Sequence, residues 1–185
     1  MNRLTIKQVV LYILSVIVLF SIPIYTIAVN SSTLKGGTEY LFKVQAFDPY
    51  DMFRGNYLNI GFEQNEVKGV PTTTESSSSS YSNYTNYYVT IDVGSDGFAY
   101  FSGIHSTKPI GTSNYYKTNA YYYSYDNIYR IDTPTRYYMN EKKSLNAEQV
   151  YRENLDDTYI KVRVKNGKMV IVGVYVNGKL IDTID

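Results

Sequence analysis

The sequence has 185 residues, 44% of them hydrophobic, which is enough for one ordinary domain with an apolar core and an additional segment. It contains no cysteine, which excludes disulfides, thiolate metal sites and the lipid-modified cysteine of a bacterial lipoprotein. All 17 acidic residues but only 16 of the 18 basic residues follow position 30, so this part has a formal charge of about −1 and no nucleic-acid partner is predicted.

The first predicted element is an apolar helix near the N-terminus. Residues 1–7 carry two positive charges and no negative charge, and an uncharged run then extends from Val9 to Val29. At a rise of about 1.5 Å per residue, this run can cross a hydrocarbon layer of roughly 30 Å. The sequence therefore predicts a single-pass transmembrane anchor at 8–29, with a cytoplasmic N-terminus because positive charge precedes the span.

A cleaved signal peptide is the alternative interpretation of this segment, because Thr26, Ile27 and Ala28 form an acceptable cleavage site. The apolar run is longer than the roughly 7 to 15 residues of a signal-peptide core, which favours an uncleaved anchor. The small, polar residues 30–37 are then expected to form a tether, and residues 38–185 a domain outside the cytoplasm.

Two runs with strand-like alternation flank a turn-rich connection. The alternate apolar positions are Tyr40, Phe42, Val44 and Ala46 before it, and Leu58, Ile60 and Phe62 after it. Within the connection, Pro49 and Gly55 favour a turn, Asp48 and Asp51 can accept hydrogen bonds from backbone amides, and Arg54 adds a positive charge. The chain is predicted to fold back on itself here.

The charged residues of this connection allow two interpretations. In the structural one, Asp48 and Asp51 cap the turn and Arg54 bridges them to a neighbouring strand. In the functional one, the two carboxylates act with Glu141 and Arg136 to hold a cation, to orient a substrate or to perform acid and base chemistry. The structural interpretation is favoured, so no catalytic residue is predicted.

Other chemistry-bearing patterns are weak. His105 is the sole histidine and lies among Ser and Thr residues, which makes a poor transition-metal site. The sequence has no G-x-S-x-G motif and no glycine-rich phosphate loop. We predict neither a metal nor a cofactor.

The middle of the chain predicts a loop followed by strands. Residues 70–84 are rich in Ser and Thr and nearly free of aliphatic residues, which indicates a long loop. A hairpin is expected from 88–93 to 98–104 around Gly94 to Gly97, and a further strand at 120–125.

The C-terminal third predicts one helix and three strands. Ser144 is a plausible N-cap of a short helix that ends near Asn154. Three alternating runs, at 158–165, 168–176 and 179–183, are separated by two Asn-Gly pairs, which predicts a meander with type I′ turns. The predicted fold class is mainly β: an N-terminal transmembrane helix, then a small antiparallel barrel or sandwich with one short helix.

The connection after the first strand resembles a known motif. Residues matching the pattern DP-x-D-x-x-R-G-D-Y-x-x-L-x-Y are Asp48, Pro49, Asp51, Arg54, Gly55 and Tyr57. The pattern is typical of the GDYXXLXY-domain family of bacterial membrane-anchored proteins, and the resemblance extends more weakly to Arg136, Tyr138 and Glu141. Asn56 stands where the family has Asp. This chain therefore lacks that carboxylate and any role it has in metal binding or proton transfer.

The resemblance implies a placement in the bacterial cytoplasmic membrane and no particular activity. We therefore expect a non-enzymatic module that binds another envelope component, most plausibly an integral membrane or envelope protein. One alternative is an envelope hydrolase, acting on peptide or glycan, that uses Asp48 or Asp51 with Glu141. Another is a carbohydrate-binding module, because the 22 tyrosines could supply stacking surfaces.

Overall fold

The computed structural model describes residues 5–45, 57–69, 82–123 and 127–184. Within these ranges the helices are α1 (Ile6–Gly36) and α2 (Glu141–Glu153), with two 3₁₀ turns at Leu155–Asp157 and Ile181–Thr183. The strands are β1 (Thr38–Gln45), β2 (Tyr57–Asn59), β3 (Gly61–Phe62), β4 (Glu66–Lys68), β5 (Ser82–Val93), β6 (Ala99–His105), β7 (Tyr115–Tyr123), β8 (Ile128–Ile131), β9 (Arg136–Tyr138), β10 (Thr158–Lys165), β11 (Lys168–Val176) and β12 (Lys179–Leu180).

Helix α1 has 31 residues, with Pro23 in its interior. By length and apolar composition it could cross a membrane, and its most apolar stretch is not covered by the rest of the described chain. It contains the whole of the anchor predicted at 8–29.

The residues predicted as a tether, 30–37, instead continue α1 to Gly36. This extension packs on the β domain, since Thr33 is buried and Lys165 donates a hydrogen bond from Nζ to the Ser32 hydroxyl at 2.9 Å. Arg163 also donates to the carbonyl of Leu34. Tertiary contacts therefore stabilise helical turns that small polar residues alone do not favour.

In the described part of the chain, the strands form two five-stranded antiparallel sheets and a two-stranded ribbon. Sheet A has the order β12-β11-β10-β1-β3, sheet B has the order β4-β8-β7-β5-β6, and the ribbon pairs β2 with β9. The chain passes from the edge strand β3 of sheet A to the edge strand β4 of sheet B, and a bridge between Tyr116 and Gly167 links β7 to the β10–β11 turn. The result is a nearly closed, barrel-like β domain, which confirms the predicted fold class.

The core lies between the two sheets. Phe42 of β1 contacts Phe62 of β3 and Phe101 of β6, with ring-centroid distances of 5.2 and 5.0 Å. All three rings are buried, and Val162 and Ile160 of β10 are fully buried beside them in the same core cluster. The alternation in β1 and β10 has therefore placed one face of sheet A against sheet B.

The C-terminal meander follows the prediction, with one difference. Asn166 and Asn177 have φ values of 51° and 49°, and the glycine after each also has a positive φ, as type I′ turns require. The last predicted strand, 179–183, is shorter than expected, because β12 ends at Leu180 and Ile181–Thr183 form a 3₁₀ turn.

Other boundaries also differ from the predictions. Helix α2 begins earlier, and its N-cap is Asn140 and not Ser144, since the Asn140 side chain accepts a hydrogen bond from the Lys142 amide at 3.0 Å. Strand β5 begins at Ser82, so the last positions of the loop predicted at 70–84 are extended, while 70–81 lie outside the described residues. The predicted hairpin is formed by β5 and β6. The strand predicted at 120–125 begins earlier, at Tyr115, and its positions 124 and 125 lie outside the described residues.

Removing one ring of the central cluster should destabilise the domain. We expect Phe101→Ala to lower the free energy of unfolding by about 3 to 5 kcal/mol, because it leaves a cavity between the sheets. The matched control is Tyr100→Ala, the neighbour on the other face of β6, which is 42% exposed and should cost less than about 1 kcal/mol. Denaturant titration of the detergent-solubilised full chain measures both, and equal losses would contradict a core role for Phe101.

Candidate functional site

The ten residues predicted from the motif are placed unevenly by the structure. Six of them, Asp48, Pro49, Asp51, Arg54, Gly55 and Asn56, lie outside the described residues. Glu141 is the first residue of α2, and its side chain is not described. Tyr57, Arg136 and Tyr138 are described, and they lie together on one short ribbon.

The ribbon of β2 and β9 brings these three residues onto the same face. Tyr57 pairs with Tyr138, and Asn59 pairs with Arg136, in an antiparallel register. Side chains alternate along a strand, so this face carries Tyr57, Tyr138 and Arg136, while Leu58 and Tyr137 point to the other face. Two segments that are far apart in sequence thus form a single surface.

The Tyr57 ring contacts both of the other side chains. The Tyr57 and Tyr138 rings lie 5.8 Å apart, and the Arg136 guanidinium lies 5.2 Å from the centre of the Tyr57 ring. Tyr138 is 68% exposed. We name Tyr57, Arg136 and Tyr138 the aromatic–arginine surface.

The charge of Arg136 sets this surface apart from a similar arrangement on sheet B. There, Arg130 lies 5.3 Å from the Tyr123 ring, but its Nη2 atom also forms an ion pair of 2.7 Å with Glu66. Among the described residues, no carboxylate forms an ion pair with Arg136. Arg136 therefore offers a cation that the described part of the fold does not neutralise.

A half-buried polar pair, Tyr137 and Asp182, supports the inner face of the ribbon. The Tyr137 hydroxyl donates a hydrogen bond of 2.7 Å to Oδ2 of Asp182, and Lys143 of α2 donates to the Asp182 carbonyl at 3.1 Å. Burial, together with the neighbouring Asp182 carboxylate, raises the pKa of Tyr137 well above its ordinary value. The hydroxyl stays protonated at neutral pH and holds β9 in place.

Helix α2 fixes the point at which the motif segment leaves β1. The hydroxyl of Tyr151, a residue that is only 2% exposed, donates a hydrogen bond of 2.9 Å to the carbonyl of Gln45. Gln45 is the last residue of β1, so this bond ties the helix to the start of the connection that carries the motif.

The geometry tests the alternative functions only in part. The hydrolase hypothesis depends on Asp48, Asp51 and the Glu141 side chain, which lie outside the described atoms. In the part of the chain that the structure describes, no group of three or more acidic or histidine side chains is arranged to hold a metal ion. For carbohydrate stacking, the two rings of the aromatic–arginine surface are tilted by 58° and do not form a flat platform.

Sequence reasoning missed Tyr137, Tyr151 and Asp182 as supporting residues. Tyr137 is one of 22 tyrosines, so its residue type alone did not distinguish it, and Asp182 lies in the run 179–183, for which only a strand was predicted. The useful signal is the position of Tyr137 itself, between two motif residues, because alternation along a strand turns it inward.

Because the Tyr151 hydroxyl is buried, the free energy of unfolding should depend on pH in the alkaline range. Burial raises the pKa of Tyr151 to about 12, from a value near 10 in the unfolded chain. Its contribution is complete below pH 10 and is lost as the pH rises through 12, at a cost on the order of 2 kcal/mol. Tyr151→Phe should therefore lose less stability than the wild type over this range in denaturant titrations, and parallel curves would contradict the assignment.

Comparisons with known proteins place the chain by sequence family alone. The family model described as GDYXXLXY protein matches residues 19–174. No curated protein and no solved structure matches the chain. The match covers most of the sequence, including the motif and the ribbon that carries Tyr57, Arg136 and Tyr138, and the chain belongs to the GDYXXLXY family.

Proposed function

We propose that this protein is a single-pass membrane protein whose β domain lies outside the cytoplasm and binds another envelope protein without catalysing a reaction. The aromatic–arginine surface is the proposed contact. The observation that carries the proposal is the exposure of Tyr138 beside Arg136, a cation with no ion-pair partner among the described residues.

The chemistry of this surface suits a protein partner. Tyrosine and arginine are enriched among residues that dominate binding energy, since a tyrosine ring buries a large area with few rotatable bonds. The Arg136 guanidinium can donate to a carboxylate or a backbone carbonyl of the partner while it stays stacked on Tyr57. An acidic patch beside an apolar or aromatic residue is therefore the expected partner chemistry.

The membrane anchor makes a membrane-protein partner accessible. Two proteins confined to the same bilayer meet at a raised effective concentration, so a small contact surface is enough for association. Helix α1 supports this placement through its length, its apolar composition and the lack of cover over its most apolar stretch.

Anchoring and orientation can be measured with single cysteines, because the chain has none of its own. We expect the protein to remain in the membrane after alkaline carbonate extraction. In spheroplasts, an impermeant maleimide should label Asp156→Cys, at an exposed position, and should label Asn2→Cys only after permeabilisation. The reverse labelling pattern would contradict the orientation, and release by carbonate would contradict the anchor.

The contact itself can be tested by photo-crosslinking in native membranes. A photoreactive phenylalanine at Tyr138 should give a discrete adduct with another envelope protein. The matched control is the same probe at Tyr123, which is 46% exposed and also contacts an arginine, but one that is paired with Glu66.

Substitution then tests the chemistry of the contact. Arg136→Ala should reduce the yield of the Tyr138 adduct about tenfold, which corresponds to the 1 to 2 kcal/mol typical of an interface arginine. Arg130→Ala should leave that yield unchanged. Equal adducts from Tyr138 and Tyr123, or no adduct from either, would contradict the proposed surface.

A further inference from the structure

A second surface lies at the end of the β domain where α1 enters it. The β10–β11 turn, Asn166–Gly167, is flanked by Lys165 and Lys168, which are paired directly across it. Lys117 of β7 lies beside the same turn, since its amide donates a hydrogen bond of 2.8 Å to the Gly167 carbonyl. We name Lys117, Lys165 and Lys168 the basic tip.

The charges of the basic tip are not neutralised by any described ion pair, and Lys117 Nζ lies 5.9 Å from the centre of the Tyr88 ring. Lys117 and Lys168 are exposed, and no described carboxylate forms an ion pair with any of the three lysines. Like charges placed directly opposite each other on paired strands are destabilising. An external anion at the tip would remove that repulsion.

The contact with α1 fixes the height of the tip relative to the apolar run. Lys165 Nζ lies 2.9 Å from the Ser32 hydroxyl, and Ser32 follows Val29, the last residue of the apolar run, by three positions. This separation is about 4.5 Å along the helix axis. In a bilayer, the layer of lipid headgroups is about 5 to 8 Å thick on each side of the hydrocarbon core, so the Lys165 ammonium falls within it.

The direction of β10 carries the turn further towards the bilayer. Arg163 contacts the carbonyl of Leu34, and Lys165 contacts Ser32, so the strand runs back along the helix towards its apolar part. The Asn166–Gly167 turn that follows therefore points to the membrane and not away from it. Arg163 is not counted in the basic tip, because it shares the Glu39 carboxylate with Lys161.

We infer that the basic tip binds the phosphates of anionic lipids in the leaflet that surrounds the end of α1. This inference rests on the proposed membrane anchor. It gives the domain a second attachment to the bilayer, formed by lysines that attract anionic lipid headgroups.

The test uses the full-length protein in nanodiscs that contain phosphatidylcholine with phosphatidylglycerol as a minor component. Native mass spectrometry of the released protein gives the ratio of the two retained lipids. We expect wild-type protein to be enriched in phosphatidylglycerol. The combined variant Lys117→Gln, Lys165→Gln and Lys168→Gln should lower this enrichment at least about tenfold, since each lysine at an anionic surface contributes about fivefold.

A matched variant controls for net charge. Lys68, Lys142 and Lys179 are exposed lysines with no described contact to the basic tip, and their combined change to Gln should leave the enrichment unaltered. If the tip variant is misfolded by circular dichroism, the single change Lys168→Gln at an exposed position replaces it, with an expected loss of about fivefold. Equal enrichment in wild type, tip and control variants would overturn the inference.

Two further readouts separate the ways in which the inference can fail. Carbonate extraction of the same proteins reports the anchor. Release of the wild-type protein by carbonate would contradict both the proposed anchor and the proposed lipid contact. Retention of the protein without a preference for phosphatidylglycerol would contradict the lipid contact alone. Binding of inorganic phosphate that depends on the tip, with no phosphatidylglycerol enrichment, would also overturn it, because the site would then serve a free anion.

Discussion

The structure depends on the contact of three phenylalanine rings between its two sheets. Phe42 and Phe62 belong to sheet A and Phe101 to sheet B, so each ring is buried only if the sheets close on each other. Val89 and Ile91 of sheet B are buried in the same core, and aromatic contacts of this kind add to the gain from burial alone. Strand β2 leads directly into β3 of sheet A, so the ribbon of β2 and β9 is positioned by the same closure.

The candidate site is built from segments that are stable for different reasons. The aromatic–arginine surface itself is exposed, and a stacked arginine at an exposed site contributes only about 0.5 to 1 kcal/mol. Its position is instead maintained from the inner face of the ribbon, where Leu58 and Tyr137 pack against the core. The Tyr137 hydroxyl also donates a hydrogen bond to the Asp182 carboxylate. Substitutions on the outer face can therefore leave the fold intact, because the inner face maintains it.

Local rules predicted much of the fold, and long-range contacts explain the remainder. The turns at Asn166–Gly167 and Asn177–Gly178 follow from a backbone preference within two residues, so the sequence indicated them directly. The extension of α1 to Gly36 depends on Arg163 and Lys165, far along the chain, and no local pattern indicates it.

The candidate site was predictable to a similar extent. The motif resemblance identified Tyr57, Arg136 and Tyr138, and the structure brings them together. Their pairing across β2 and β9, and the supporting bond between Tyr137 and Asp182, join segments separated by long stretches of sequence. The periodicity of apolar residues predicts which side chains share one face of a strand, but it does not predict which other strand pairs with it. These contacts could therefore be identified only in the structure.

The direct connection of α1 to the β domain has a consequence for the binding of an envelope protein that we propose. A domain on a flexible linker samples many orientations and loses this freedom at each encounter, which weakens binding. Here the hydrogen bonds to Ser32 and Leu34 restrict the domain when it folds, before any partner arrives. In a bilayer, the search is then reduced to diffusion in a plane and rotation about one axis, and a partner must present its own surface at a matching distance from the membrane.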